Sequence, residues 1–138
     1  AKHGQAAATK MCRSVVIKGL EALVTESLLA ARYYGVEADV LASLENLLPR
    51  PDWDEYARYL ISRSLEHGAR RAEEMHEVAL TVAETGVEPL MSGACAMRQE
   101  WAGRFPGALA SPGLGDVLAA LRSLAGCDRP NLTEDPAQ

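Results

Sequence analysis

Aromatic side chains are scarce: two Trp, four Tyr and one Phe make up 5 % of the 138 residues. A core must therefore be built from Ala, Leu, Val and Met, and helices of that composition pack closely. Cysteine is also sparse, at Cys12, Cys95 and Cys127. The odd number, the wide spacing and the lack of any Cys-x-x-Cys argue against a disulfide framework and against a metal site, and for buried thiols in a reducing cytoplasm. Positive charge is in deficit, 14 Lys and Arg against 19 Asp and Glu, for a formal net charge of −5. Binding a nucleic-acid backbone needs a concentrated positive field, so nucleic acid is a poor partner. No apolar run reaches the roughly 18 uninterrupted residues of a membrane span. The nearest is broken by Lys18, Glu21 and Glu26, so no membrane partner is expected, and no signal peptide is visible. Strand alternation flanked by turn residues is missing, as are internal repeats, Gly-x-Gly-x-x-Gly, a P-loop, His-Glu-x-x-His and a Ser-His-Asp set in context.

What remains is helix. Apolar content of 48 % excludes general disorder, and the length suffices for one domain with a real core. The organising stretch runs from Gly4 to Gly35. Between Ala6 and Tyr34 it has no proline and one glycine, Gly19, and Gly35 is well placed as its stop. Met11, Cys12, Val15, Val16, Leu20, Leu23, Val24, Leu28 and Ala31 make a broad apolar surface. Steps of four and three from Lys10 pick out one polar stripe, Lys10, Ser14, Lys18, Glu21 and Thr25. A helix apolar on most sides sits centrally, with its stripe toward solvent or a cleft.

The rest of the chain follows in shorter pieces. Ala1 to Gln5 read as an entry segment. Asp39 is a candidate N-cap for a helix to Leu48, closed by Pro49 and Pro51. Asp52, with Glu55 in a capping-box position, opens a helix from Trp53 to His67. Gly68 kinks it without ending it, and Ala69 to Glu84 continue. The inward face is Trp53, Tyr56, Ala57, Leu60, Ile61, Ser64 and Leu65, then Ala72, Met75, Val78, Ala79 and Val82. Gly86 caps that run. Leu90 to Arg104 form the next helix, with Leu90, Met91, Ala94, Met97 and Trp101 inward. Pro106 to Gly115 form a loop, and Asp116 to Ala125 a final helix. The expectation is an all-α bundle of five or six helices, one domain over residues 1–125, with a loose tail from 126 to 138.

One residue is a reactive candidate on physical grounds alone. Lys10 lies just inside the start of a mostly apolar helix, after small residues that let a ligand approach. The positive end of the helix dipole and partial burial would both favour the neutral amine, which suits proton transfer. A solvated surface lysine is the commoner meaning of such a position. His67, Arg70 and Arg71, with Arg63 one turn earlier, admit two readings: an anion site for a carboxylate or a cofactor phosphate, or a solvated face paired with Glu66, Glu73 and Glu74. The second is the commoner. His76 reads as a surface residue, and Met91, Met97 and Trp101 as core or dimer packing.

Gly4, six residues before Lys10-Met-Cys, and the following Lys18-Gly19 resemble the interdomain helix of the 6-phosphogluconate and β-hydroxyacid dehydrogenase superfamily. The Trp53-Asp54 entry, the run from Arg63 to Met75 and Gly86-Val87-Glu88-Pro89-Leu90-Met91 resemble its branch called "phosphogluconate dehydrogenase, NAD-binding, putative-like". The resemblance covers about three quarters of the chain, from Gly4 to Arg104. It implies the helical C-terminal domain of an NAD(P)-dependent oxidoreductase, which closes the active site and builds a homodimer, while NAD or NADP binds mainly to a Rossmann domain outside this chain. It implies Lys10 as general acid/base at the substrate oxygen, with Ser14 and Lys18 orienting a small acid; His67 and Arg71 are further candidates for holding its carboxylate. The sequence departs from the superfamily at Ala6 (usually glycine), at Ser14 (usually asparagine), at Ile17 (a glutamate in true 6-phosphogluconate dehydrogenases) and at Glu73-Glu74 (often Lys-Asp). Decarboxylation of 6-phosphogluconate is therefore not implied. The alternative is a non-catalytic helical dimerisation or interaction module, since a long apolar helix in a short chain suits burial by a partner subunit.

Overall fold

The computed structural model describes the backbone of residues 2–127 and the side chains of residues 4–127. Five α-helices follow in order: α1 Lys2–Tyr34, α2 Glu37–Leu47, α3 Trp53–Glu84, α4 Leu90–Ala102 and α5 Leu114–Leu124, with a 3-10 turn at Pro106–Ala110. No strand occurs among the described residues, so the all-α expectation holds. No helix among them is long and apolar enough to cross a membrane. The expected tail from residue 128 onward lies outside the described residues.

Two long helices form the frame. α1 has 33 residues and α3 has 32, each about 50 Å at 1.5 Å per residue. α1 packs chiefly on α3 and α4, and the remaining elements close over one end of the pair. At that end the main core joins Leu28, Leu41, Trp53, Ile61, Leu65, Val117, Leu118 and Leu121. A smaller cluster of Ala22, Met75, Val78, Cys95 and Ala96 lies farther along α3. Each fully buried Leu or Ile there contributes roughly 1.5–3 kcal/mol over exposure.

Several local expectations need correction. Gly4 and Gln5 lie within α1, not before it. α2 begins at Glu37, so Asp39 sits in its first turn instead of capping it; there its charge still complements the helix dipole. Asp52 occupies the N-cap of α3 but makes no side-chain capping bond. The loop after Pro106 contains the 3-10 turn, and α5 starts at Leu114.

Gly68 lies inside one continuous helix, and its role is close approach. A Cβ there would stand 2.2 Å from the Gln99 carbonyl oxygen and 2.6 Å from the Gly103 nitrogen. Backbone meets backbone at this crossing, which leaves no room for a side chain at Gly68 or Gly103. The inner face of α4 is Ser92, Cys95, Ala96, Gln99 and Ala102. Leu90, Met91 and Met97, expected inward, are exposed. They fall off the stripe that those five residues mark at helical spacing.

Candidate functional site

The polar stripe of α1 divides. Lys10 is exposed, whereas Ser14, Glu21 and Thr25 are buried. Lys10 also sits in the third turn of α1, beyond the first turn in which a helix dipole acts strongly. Neither physical argument that singled it out, helix start or partial burial, is met. It stands as an open lysine, one turn before Ser14.

Below it, α1 and α3 exchange charges. The Lys18 ammonium lies 2.7 Å from Glu74 Oε2 and donates to Ser14 Oγ at 3.3 Å. Three residues on, Glu21 Oε2 lies 3.3 Å from Arg71 Nε. The Gln99 amide of α4 donates to that same carboxylate oxygen and to the Lys18 carbonyl, each at 3.2 Å. Glu74 takes a second cation, Arg70, at 2.8 Å. The result is a charged seam between antiparallel helices, with signs alternating along both.

Its two carboxylates behave oppositely. Glu21 is 2 % exposed and Arg71 7 %. Burial pushes the Glu21 carboxyl above its ordinary value, against the opposing pull of Arg71 and the Gln99 hydrogen bond. Glu74 is held below the ordinary range, chiefly by its contact with Lys18, with Arg70 adding to it. Cys95, on the inner face of α4, has its thiol pushed up to about 11 by burial and by the nearby Glu21 charge.

The expected site residues are only partly brought together. Lys10, Ser14 and Lys18 follow one another along α1, but Lys18 is committed to Glu74 and Ser14. Arg71 is spent on Glu21, a residue about 16 Å along α1 from Lys10 at helical rise. His67 stands 3.5 Å from Glu66, its neighbour in sequence. Of the two readings for the His67–Arg71 group, the solvated, paired one describes Arg70, which meets Glu74; Arg71 fits neither, being buried and paired with Glu21 of α1. Sequence reasoning missed Glu74 and Gln99 as parts of this seam. A signal was present: Lys18-x-x-Glu21 and Arg71-x-x-Glu74 carry complementary charges at equal spacing in antiparallel order. No group of His, Cys, Asp and Glu among the described residues could hold a metal ion.

A second feature is apolar. Val15, Val16, Leu20, Leu23, Met91 and Cys95 help line a groove of about 370 Å³ between α1 and α4. Val16, Leu23 and Met91 on its rim are more than half exposed. The surface expected to be buried inside the domain is thus partly on its outside.

Residues 31–102, just over half of the chain, match the family described as a domain of unknown function, DUF1932. The chain belongs to the DUF1932 family. The matched part runs from the end of α1 through α4, so it includes Arg71, Glu74 and Gln99 and leaves out Lys10, Ser14 and Lys18. A wider similarity comes from the crystal structure of a conserved hypothetical protein from Sinorhizobium meliloti 1021. That chain is 37 % identical with a TM-score of 0.75, over 87 % of this DUF1932 chain and 41 % of its own length. The chain therefore spans less than half of that relative. No curated protein matches it.

Proposed function

We propose that this DUF1932 chain is the helical C-terminal domain of an NAD(P)-dependent oxidoreductase of the β-hydroxyacid dehydrogenase type, acting on a small hydroxy acid or its carbonyl counterpart. The observation that carries the reading is the open Lys10 with Ser14 one turn along α1, at the positions where the family resemblance expects an acid/base and a substrate contact. The relative's greater length, with 59 % of it outside the shared region by subtraction from the 41 % covered, is room for a further domain.

The cofactor would belong to that further domain. A dinucleotide needs a crevice at the ends of parallel strands and a glycine-rich turn. Among the described residues there is no strand, and the sequence holds no such turn, which supports placing the main NAD or NADP site in that further domain. Its own part is proton chemistry: Lys10 holds or moves a proton at the substrate oxygen, and Ser14 hydrogen-bonds the acid. A general acid/base contributes about 10²–10⁴-fold.

Lys10→Ala in the full-length protein tests this. With NAD or NADP and a panel of small hydroxy acids, turnover followed by nicotinamide absorbance should fall by about 10²–10⁴-fold. The melting temperature should stay near that of the parent, because the residue is exposed. Retention of full turnover by the variant would refute the assignment.

The apolar groove supports a second role that is compatible with the first. We infer that a second copy of the chain covers Val16, Leu23, Met91 and their neighbours, making a cytoplasmic homodimer. Side chains of this size left this open on one face suit an interface better than solvent.

A further inference from the structure

We propose that Lys18, clamped by Glu74, is a positioning residue that occupies one lone pair of the Ser14 hydroxyl and leaves its proton to donate, so that Ser14 receives an acceptor such as a carboxylate oxygen of the substrate. This rests on the oxidoreductase reading above and goes beyond it, because it removes Lys18 from direct substrate contact and assigns its work to Ser14.

The direction of the Lys18–Ser14 contact decides the matter. An ammonium has only donors. At 3.3 Å, the Lys18 Nζ therefore donates and the Ser14 hydroxyl oxygen accepts. Serine and threonine inside a helix commonly give their proton to the carbonyl four residues back. Thr9 does so to Gln5 at 2.9 Å, and Thr25 to Glu21 at 2.7 Å, both in α1. Ser14 makes no such bond among the described hydrogen bonds; its oxygen is engaged by a cation and its proton is unspent. A hydroxyl in that state offers a donor.

Lys18 can hold this pose because it is itself held. Glu74 Oε2 lies 2.7 Å from its ammonium, and the other Glu74 oxygen is bonded to Arg70 at 2.8 Å. The Lys18 side chain is 14 % exposed, so its rotamers are few. The Lys18 charge is balanced by Glu74, so Lys10, one turn from Ser14 on α1, is the cation left to attract an anion there. The line of contacts thus runs from Arg70 and Glu74 of α3 through Lys18 to the Ser14 hydroxyl of α1.

The test is a double-mutant cycle on kcat/KM in the full-length protein, with the hydroxy acid that the Lys10 experiment identifies, using Ser14→Ala, Lys18→Met and both together. A hydrogen bond to a charged group corresponds to a loss of about 10–100-fold when removed. We expect Ser14→Ala to lose that much, Lys18→Met to lose about tenfold, and Lys18→Met to add less than twofold in the Ser14→Ala background. Lys18→Arg, which keeps charge and donors, should recover to within about threefold of the parent. Losses that multiply would overturn the proposal, since Lys18 would then act on the substrate by itself. An inert Lys18→Met would overturn it equally. The outcomes separate from those of the underlying reading: a parent that turns over no hydroxy acid with NAD or NADP sinks the oxidoreductase assignment and the clamp with it, full turnover in Lys10→Ala sinks the acid/base role of Lys10, and a dead Lys10→Ala with multiplying Ser14 and Lys18 effects sinks only the clamp.

Discussion

The Glu21–Arg71 pair offers a sharp test of how the seam is held. Arg71→Met removes the cation and leaves a carboxylate that is 2 % exposed. Breaking a buried pair from one side costs about 3–5 kcal/mol, because the remaining charge has no compensation. That is a large share of the about 5–15 kcal/mol by which a domain is stable. At a urea slope of about 2 kcal/mol/M the unfolding midpoint should fall by about 2 M. Adding Glu21→Gln should recover most of the loss, since the charge disappears while the new amide oxygen still accepts from Gln99. The pH dependence has a definite sign. Burial already holds the Glu21 carboxyl above its ordinary value, and losing Arg71 pushes it further up. The native state of Arg71→Met then keeps a proton that the unfolded chain releases, so stability from this group is present at low pH and lost as pH rises through the native value. The deficit relative to the parent should be largest at pH 7 and smaller at pH 5. Urea unfolding of the parent, the single variant and the double variant at both pH values checks this. A single variant that loses under about 1 kcal/mol, or a double variant as unstable as the single, would refute the argument that a stranded buried charge sets the cost.

Other outcomes follow from the packing. Gly68→Ala forces a methyl into the Gln99 carbonyl and the backbone of Gly103; overpacking against rigid backbone should cost at least about 3 kcal/mol, read as a collapsed melting temperature. Gly19→Ala meets nothing within 4 Å and should gain about 0.5–1 kcal/mol by helix propensity, so a loss there would mean that the face is occupied. Maleimide at pH 8 should label exposed Cys12 first and Cys95 only on unfolding, since the Cys95 thiol is buried with its value near 11; equal rates by peptide mass would contradict the burial. If a second copy covers the groove as proposed, Leu23→Glu should give a monomer by sedimentation without lowering helix content, and a mass unchanged from the parent would remove α1 from the proposed interface.

Much of the architecture was legible before any coordinates. The inner face of α3 reads directly from Trp53 through Val78, because apolar spacing near 3.6 residues has one physical meaning on a surface helix. Gly35 and Gly86 end their helices with φ of 70° and 87°, the left-handed conformation that glycine adopts without a Cβ penalty. α4 was misread for the opposite reason. Its large apolar residues read as inward by size, but the stripe that is buried is Ser92, Cys95, Ala96, Gln99 and Ala102. The stripe on α1 was seen, yet its meaning was open. A row of Lys, Ser, Lys, Glu and Thr is the same row whether it faces water or a second charged helix.

By itself, the sequence determined the helical class and the two long elements. Those properties follow from local propensity and periodicity, which need no knowledge of neighbours. Only the tertiary structure decided which α1 polar groups are spent and which remain open. Antiparallel docking of α3 brings Glu74 to Lys18 and Arg71 to Glu21, and it leaves Lys10 outside. The docking of α4 on this pair leaves Leu90, Met91 and Met97 outward. Partner choice of this kind depends on the distance between helices, and that distance is a property of the pair.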